Sequence, residues 1–144
     1  ERLLVSRVAE NRRMLSNIMS ALNENPHAEA FKERVAALVI RLEALDTTAL
    51  RLLTKFDKGF DIGAEPSMLK LKGSQLVQDM DRMLYEIVGY LGLPQDSTLR
   101  EGGPAGAEIA DMVASGLFHH RGYTIAGGTS EIQHNIIAQQ VLGL

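Results

Sequence analysis

An all-α fold, an antiparallel four-helix-bundle-type domain with an additional C-terminal helix, is predicted by three features of the 144-residue sequence. Apolar residues recur every three or four positions along most of the chain, the spacing that gives a helix one buried face. Strand-type alternation is absent, and no internal repeat stands out. Hydrophobic residues make up 45%, aromatic ones only 5% with no Trp, and Leu, Ala, Met, Arg and Glu, which favour helices, are plentiful. At this length one domain can bury a core of its own.

The first helix is expected almost from the chain start, with Leu4, Val8, Leu15, Ile18 and Leu22 on one face. It should stop at Asn23-Glu24-Asn25-Pro26, where a proline meets two turn-forming asparagines. The second carries Phe31, Val35, Leu38, Leu42, Leu45, Ala49, Leu52 and Phe56, and ends at Lys58-Gly59, a basic residue before a glycine suited to the left-handed conformation. The third starts near Glu65-Pro66-Ser67, because proline in the first turn removes an N–H that has no helical partner anyway. Its face is Met68, Leu71, Leu76, Met80, Met83, Leu84 and Ile87, running to about Tyr90. Residues 93–106 hold two prolines and three glycines and read as a loop. A shorter helix follows from about Ala107 to His119, and a last one from about Ser130 to Leu142. Three long helices joined by short turns pack most simply as an antiparallel bundle that the final helices close.

A formal charge of −3 offers no basic footprint for nucleic acid. The absence of Cys excludes disulfides, Cys-ligated zinc and thiol catalysis. No apolar run approaches the roughly 18 residues of a membrane span, and no signal peptide is visible. The chain opens Glu-Arg-Leu-Leu, without Met and already in helical pattern, so it reads as a piece of a longer protein.

The stretch most able to carry chemistry is "YTIAGGTSEIQHNII", residues 123–137. Ser130 with Gln133 three residues on fits a capping box, which points the last helix's first N–H groups back at Gly127-Gly128-Thr129. Glycines let a ligand approach the backbone closely, and such an end suits a phosphate or a developing oxyanion. Most Gly-Gly-Thr-Ser loops, however, only cap helices. Elsewhere the signals are blander. His119 and His120 are adjacent, diverge by about 100° on a helix and read as solvent- or loop-facing rather than as ligands of one metal. Asp79, Asp81 and Glu86 read as a solvated face, the Met68, Met80 and Met83 stripe as core packing, and His134 as lying on an exposed or interface face.

Residues 125–144, "IAGGTSEIQHNIIAQQVLGL", resemble the C-terminal signature of the acyl-CoA dehydrogenases, and "EPSMLKLKGSQLVQDM", residues 65–80, resembles the start of a helix in the same domain. With the helix order, the likeness covers most of the chain and identifies it as the C-terminal helical domain of that family, residues 1–144. The resemblance implies FAD as cofactor, an acyl-CoA as substrate, and α,β-dehydrogenation: a carboxylate removes the α-proton and the β-hydrogen leaves as hydride. It also implies a homo- or hetero-oligomer, an electron-transfer partner, and a cytoplasmic location (mitochondrial matrix in a eukaryote). A backbone N–H of this loop binds the thioester carbonyl in the family, and the matching position is Gly127.

Many relatives place the catalytic glutamate where Gly127 stands, so that base is missing here. A second subgroup, resembling isovaleryl-CoA and long-chain dehydrogenases, carries it in a Glu-Arg pair on the domain's first helix, which "ERLLVS" matches. The resemblance therefore makes Glu1 the candidate base and Arg2 a candidate for the CoA side, although Glu-Arg at a helix start is also ordinary surface sequence. Gly128, Thr129 and Glu131 match positions near the flavin. Two motifs depart: an Arg-x-x-Phe-Gly segment is replaced by "PHAEAFKER", residues 26–34, and a Gln-x-x-Gly-Gly segment by "VGYLGLPQ", residues 88–95. Both departures bear on FAD binding and subunit arrangement. They suit the alternative reading, a non-catalytic structural or assembly subunit of a heteromeric acyl-CoA dehydrogenase. A third reading, an acyl-CoA oxidase, differs in letting oxygen reach the reduced flavin.

Overall fold

The computed structural model describes residues 6–89 and 107–144, with side chains of the second stretch from residue 113 onward. Five α-helices follow one another: α1 Val8–Glu24, α2 Lys32–Asp57, α3 Glu65–Val88, α4 Ala107–His119 and α5 Ser130–Ile137. Short 3-10 turns, Ala28–Phe31 and His120–Thr124, precede α2 and follow α4, and a π-helical turn, Ala138–Leu142, extends α5. No strand occurs among the described residues, so the all-α expectation holds. The loop expected over 93–106 lies outside them.

Helix α3 is the hub and packs on each of the other four α-helices. Hydrogen bonds give the register. Asn11 Nδ2 reaches Gly73 O and Asn25 Nδ2 reaches Ile87 O, both across 62 residues, so α1 runs parallel to α3. Along the α2–α3 seam the ion pairs Lys55–Glu65, Arg41–Asp79 and Arg34–Glu86 ascend on one helix as they descend on the other, so α2 is antiparallel. The core between them is Ile18 of α1, Leu42 of α2, and Leu69, Leu76, Val77 and Met80 of α3, all essentially without solvent exposure. Burying such a side chain contributes about 1.5–3 kcal/mol each. Met80 and Met83 are buried as expected, whereas Met68 is exposed. No helix among the described residues is long and apolar enough to cross a membrane.

The end of α2 matches its sequence signal. Gly59 takes φ 77°, its N–H bonds Phe56 O, and Phe60 N–H bonds Lys55 O, a Schellman closure. The start of α1 differs from expectation. Arg7 adopts a left-handed φ of 52°, so the helix begins at Val8 rather than nearer the chain start. Three local interactions hold that break. The Arg7 guanidinium lies 3.3 Å from the Tyr123 ring centroid, it bonds Glu10 at 3.0 Å, and Asn11 Nδ2 takes the Arg7 carbonyl at 2.9 Å. Just ahead of it, the Ser6 carbonyl packs so closely on Gly73 that a Cβ there would collide with it.

Candidate functional site

The Gly-Gly loop is held in place from behind. Gly127 and Gly128 both take positive φ, 70° and 93°, which glycine adopts at little steric cost. Their carbonyls point to side chains of the flanking helices. Lys70 Nζ of α3 donates to Gly128 O at 2.6 Å, and Gln133 Nε2 of α5 donates to Gly127 O at 3.2 Å. Among the described residues neither the Gly127 nor the Gly128 N–H has an acceptor. A Cβ on Gly127 would meet nothing within 4 Å among the described residues, while one on Gly128 would sit 2.6 Å from Gln133 Nε2.

Thr129, extended at φ −63° and ψ 163°, is the N-cap of α5, and its hydroxyl accepts from Ile132 N–H. The cap therefore falls one residue before the expected Ser130. Gln133, expected as the capping-box partner, is drawn instead to the Gly127 carbonyl. Glu131 lies in the first helical turn. Its own backbone N–H and the Thr129 hydroxyl hold its carboxyl below the usual range, which keeps an exposed anion beside the loop. His134 is exposed, as expected. Glu1 and Arg2 lie outside the described residues.

Lys70 is a residue that sequence reasoning missed. Only 6% of it is exposed, and burial, with help from Arg7, pushes its ammonium below the usual lysine range against a smaller opposing effect of Glu131. A signal was present, since Lys70 falls one turn before Gly73 and Ser74 and two turns before Val77 on the inner face of α3. A second missed group lies deeper. His120 Nδ1 meets Asp81 Oδ2 at 2.8 Å and its Nε2 meets Glu10 Oε1 at 3.2 Å, while Tyr123 OH donates to that same Glu10 oxygen at 3.1 Å. This corrects two expectations. Asp81 is buried rather than part of a solvated face, and His120 is enclosed rather than solvent-facing. Asp81 sits between Val77 and Leu84 on the apolar stripe, so its burial was readable. Desolvation raises its carboxyl pKa, and the His120 interaction opposes that shift. The imidazole separates the two carboxylates, and no metal-ligand group forms among the described residues. The cluster instead ties α1 to α3 and to the turn after α4, which Gln78 Nε2 also fastens through His120 O at 3.0 Å.

The family model described as "Acyl-CoA dehydrogenase, C-terminal domain" matches residues 2–142. The chain belongs to that family. No individual curated sequence matches it. In this acyl-CoA dehydrogenase domain, the loop whose carbonyls are anchored by Lys70 and Gln133 coincides with the stretch that carries the sequence resemblance. Its donors are offered at the entrance to α5, where the helix dipole adds to their positive potential.

Proposed function

We propose that this domain serves a FAD-dependent acyl-CoA dehydrogenase in which the Gly127 N–H binds the substrate's thioester carbonyl. The observation that carries the reading is the anchored loop, whose carbonyls are engaged by Lys70 and Gln133 while its glycine N–H groups have no acceptor among the described residues. Abstraction of an α-proton moves charge onto the thioester oxygen. A donor already in place for that charge lowers the barrier, and losing one such donor typically costs about 10²–10³ in rate. In this reading Glu1 takes the proton, since Gly127 supplies no carboxylate, and Arg2 lies toward the CoA.

The residues beside the loop fit a hydroxylated cofactor. Glu131 is ionised and exposed, so it suits accepting hydrogen bonds from the flavin's hydroxyl-bearing chain and would repel a phosphate placed next to it. Gly128 and Thr129 would line the same side. When bound, FAD supplies the acceptor for the β-hydride. In the proposal, residues 1–144 act within a longer chain and do not turn over acyl-CoA by themselves.

The test is anaerobic flavin bleaching of the full-length protein by a panel of acyl-CoAs, beside Glu1→Gln. Bleaching in the parent and none in the variant supports a dehydrogenase with its base at Glu1. Equal bleaching removes Glu1 from the mechanism. A parent that binds no flavin favours the assembly-subunit reading, which the replaced segments at 26–34 and 88–95 already support.

A further inference from the structure

Two consecutive glycines at positive φ have many conformations open to them, and ordering each costs about 1–2 kcal/mol. The loop's shape therefore depends on what holds it. Both carbonyls are held by side chains, one from the central helix and one from the helix that follows. We propose that Lys70 and Gln133 are positioning residues of the thioester-binding loop, fixing the Gly128 and Gly127 carbonyls inward so that the N–H groups face the substrate. The inference rests on the reading of Gly127 N–H as the thioester donor.

Burial is what makes Lys70 informative. A lysine almost wholly out of water loses hydration, and its bonded partner here is a neutral carbonyl rather than a carboxylate. Methionine is about as long and would fill the space without that loss. What the ammonium adds is a short, charge-assisted bond to one peptide group. Arg7 disfavours the ammonium further, and Glu131 favours it with a smaller effect.

The two anchors also act on the donors themselves. A hydrogen bond to a carbonyl polarises its peptide group and strengthens the N–H across it. Lys70 on Gly128 O thereby strengthens Thr129 N–H, and Gln133 on Gly127 O strengthens Gly128 N–H. Gly127 N–H belongs to the Ala126 peptide, so for that donor the effect is orientation.

The experiment uses the full-length flavoprotein with Lys70→Met, Lys70→Arg and Gln133→Leu. It reads the carbonyl stretching frequency of a bound acyl-CoA labelled at its thioester carbon, together with kcat, KM and flavin content. In the parent the carbonyl frequency should lie below that of free acyl-CoA. Lys70→Met should lose most of that lowering and drop kcat about 10–100-fold with KM little changed, because a transition-state donor is misplaced rather than substrate binding lost. Lys70→Arg should recover part of both. Gln133→Leu should behave as Lys70→Met, and it carries the test if that variant does not fold. Variants that keep the parent's frequency and kcat overturn the positioning role while leaving the loop reading intact. An unshifted carbonyl in the parent overturns the loop reading, and the positioning role with it.

Discussion

Gly127 and Gly128 share a backbone conformation and differ in what a methyl group would meet. Alanine at Gly127 meets no atom within 4 Å among the described residues, so its cost is that of the left-handed backbone, about 1–2 kcal/mol. Alanine at Gly128 adds a collision with Gln133 Nε2 and forces that buried amide off the Gly127 carbonyl, a further cost of about 1–3 kcal/mol. Thermal denaturation should therefore rank Gly128→Ala well below Gly127→Ala, and equal midpoints would contradict this account of the loop. At this scale the sequence was partly legible. The glycine pair and the polar triplet marked the place, but the cap fell on Thr129 because the capping-box pattern says nothing of competing acceptors. Gln133 bonds a carbonyl that only the path of the loop brings near. Lys70 and Asp81 were legible by position on α3, where each shares a face with buried neighbours, yet Lys70 was passed over and the charge of Asp81 invited a solvent reading.

Among the helices, the α2–α3 seam separates what stabilises the fold from what decorates it. Arg34 meets Glu86 through two bonds, 2.6 and 3.1 Å, and holds the Glu86 carboxyl below its usual range, but both side chains are substantially exposed. Its contribution is present above pH 4.5, the ordinary value for the group, and is lost as pH falls through the lower folded value. Solvent screening keeps such pairs to about 0–1 kcal/mol. Leu42, beneath the same seam, is fully buried, and truncation there typically costs about 2–5 kcal/mol. Chemical denaturation should show Glu86→Gln nearly unchanged and Leu42→Ala strongly destabilised; the reverse order would place the seam's stability in its ion pairs. Helix spans were readable because the 3.6-residue period is local. The start of α1 was not, since Arg7 is turned by Tyr123, a residue 116 positions away in sequence, and by Gly73 pressing on Ser6.

Across the whole molecule, the Glu10–His120–Asp81 cluster joins three parts of the chain through one imidazole. Burial raises the Asp81 carboxyl, so the folded protein holds that proton more tightly than the unfolded chain does. The associated stability is complete below 3.8, the ordinary value, and is lost as pH rises through the higher folded value. Asp81→Asn removes that titration while keeping a polar partner for His120. The melting temperature of the parent minus that of the variant should therefore fall as pH rises from about 3.8, and a flat difference would show that Asp81 titrates alike in both states. No linear pattern could have joined residues 10, 81 and 120, because only the packing of α1, α3 and the turn after α4 brings them together.

One turn of α3 meets both the segment ahead of α1 and the Gly-Gly loop. Gly73 receives the Ser6 carbonyl, and Lys70 grips the loop at Gly128. These two residues are three apart on one helical face, so they work as a single gauge block between the front and the back of the sequence. One residue inserted between them would swing one stop about 100° away from the other. Extra residues in the α2–α3 turn would leave the gauge untouched. A longer α2–α3 connection should therefore be tolerated where an insertion within this one turn of helix is not.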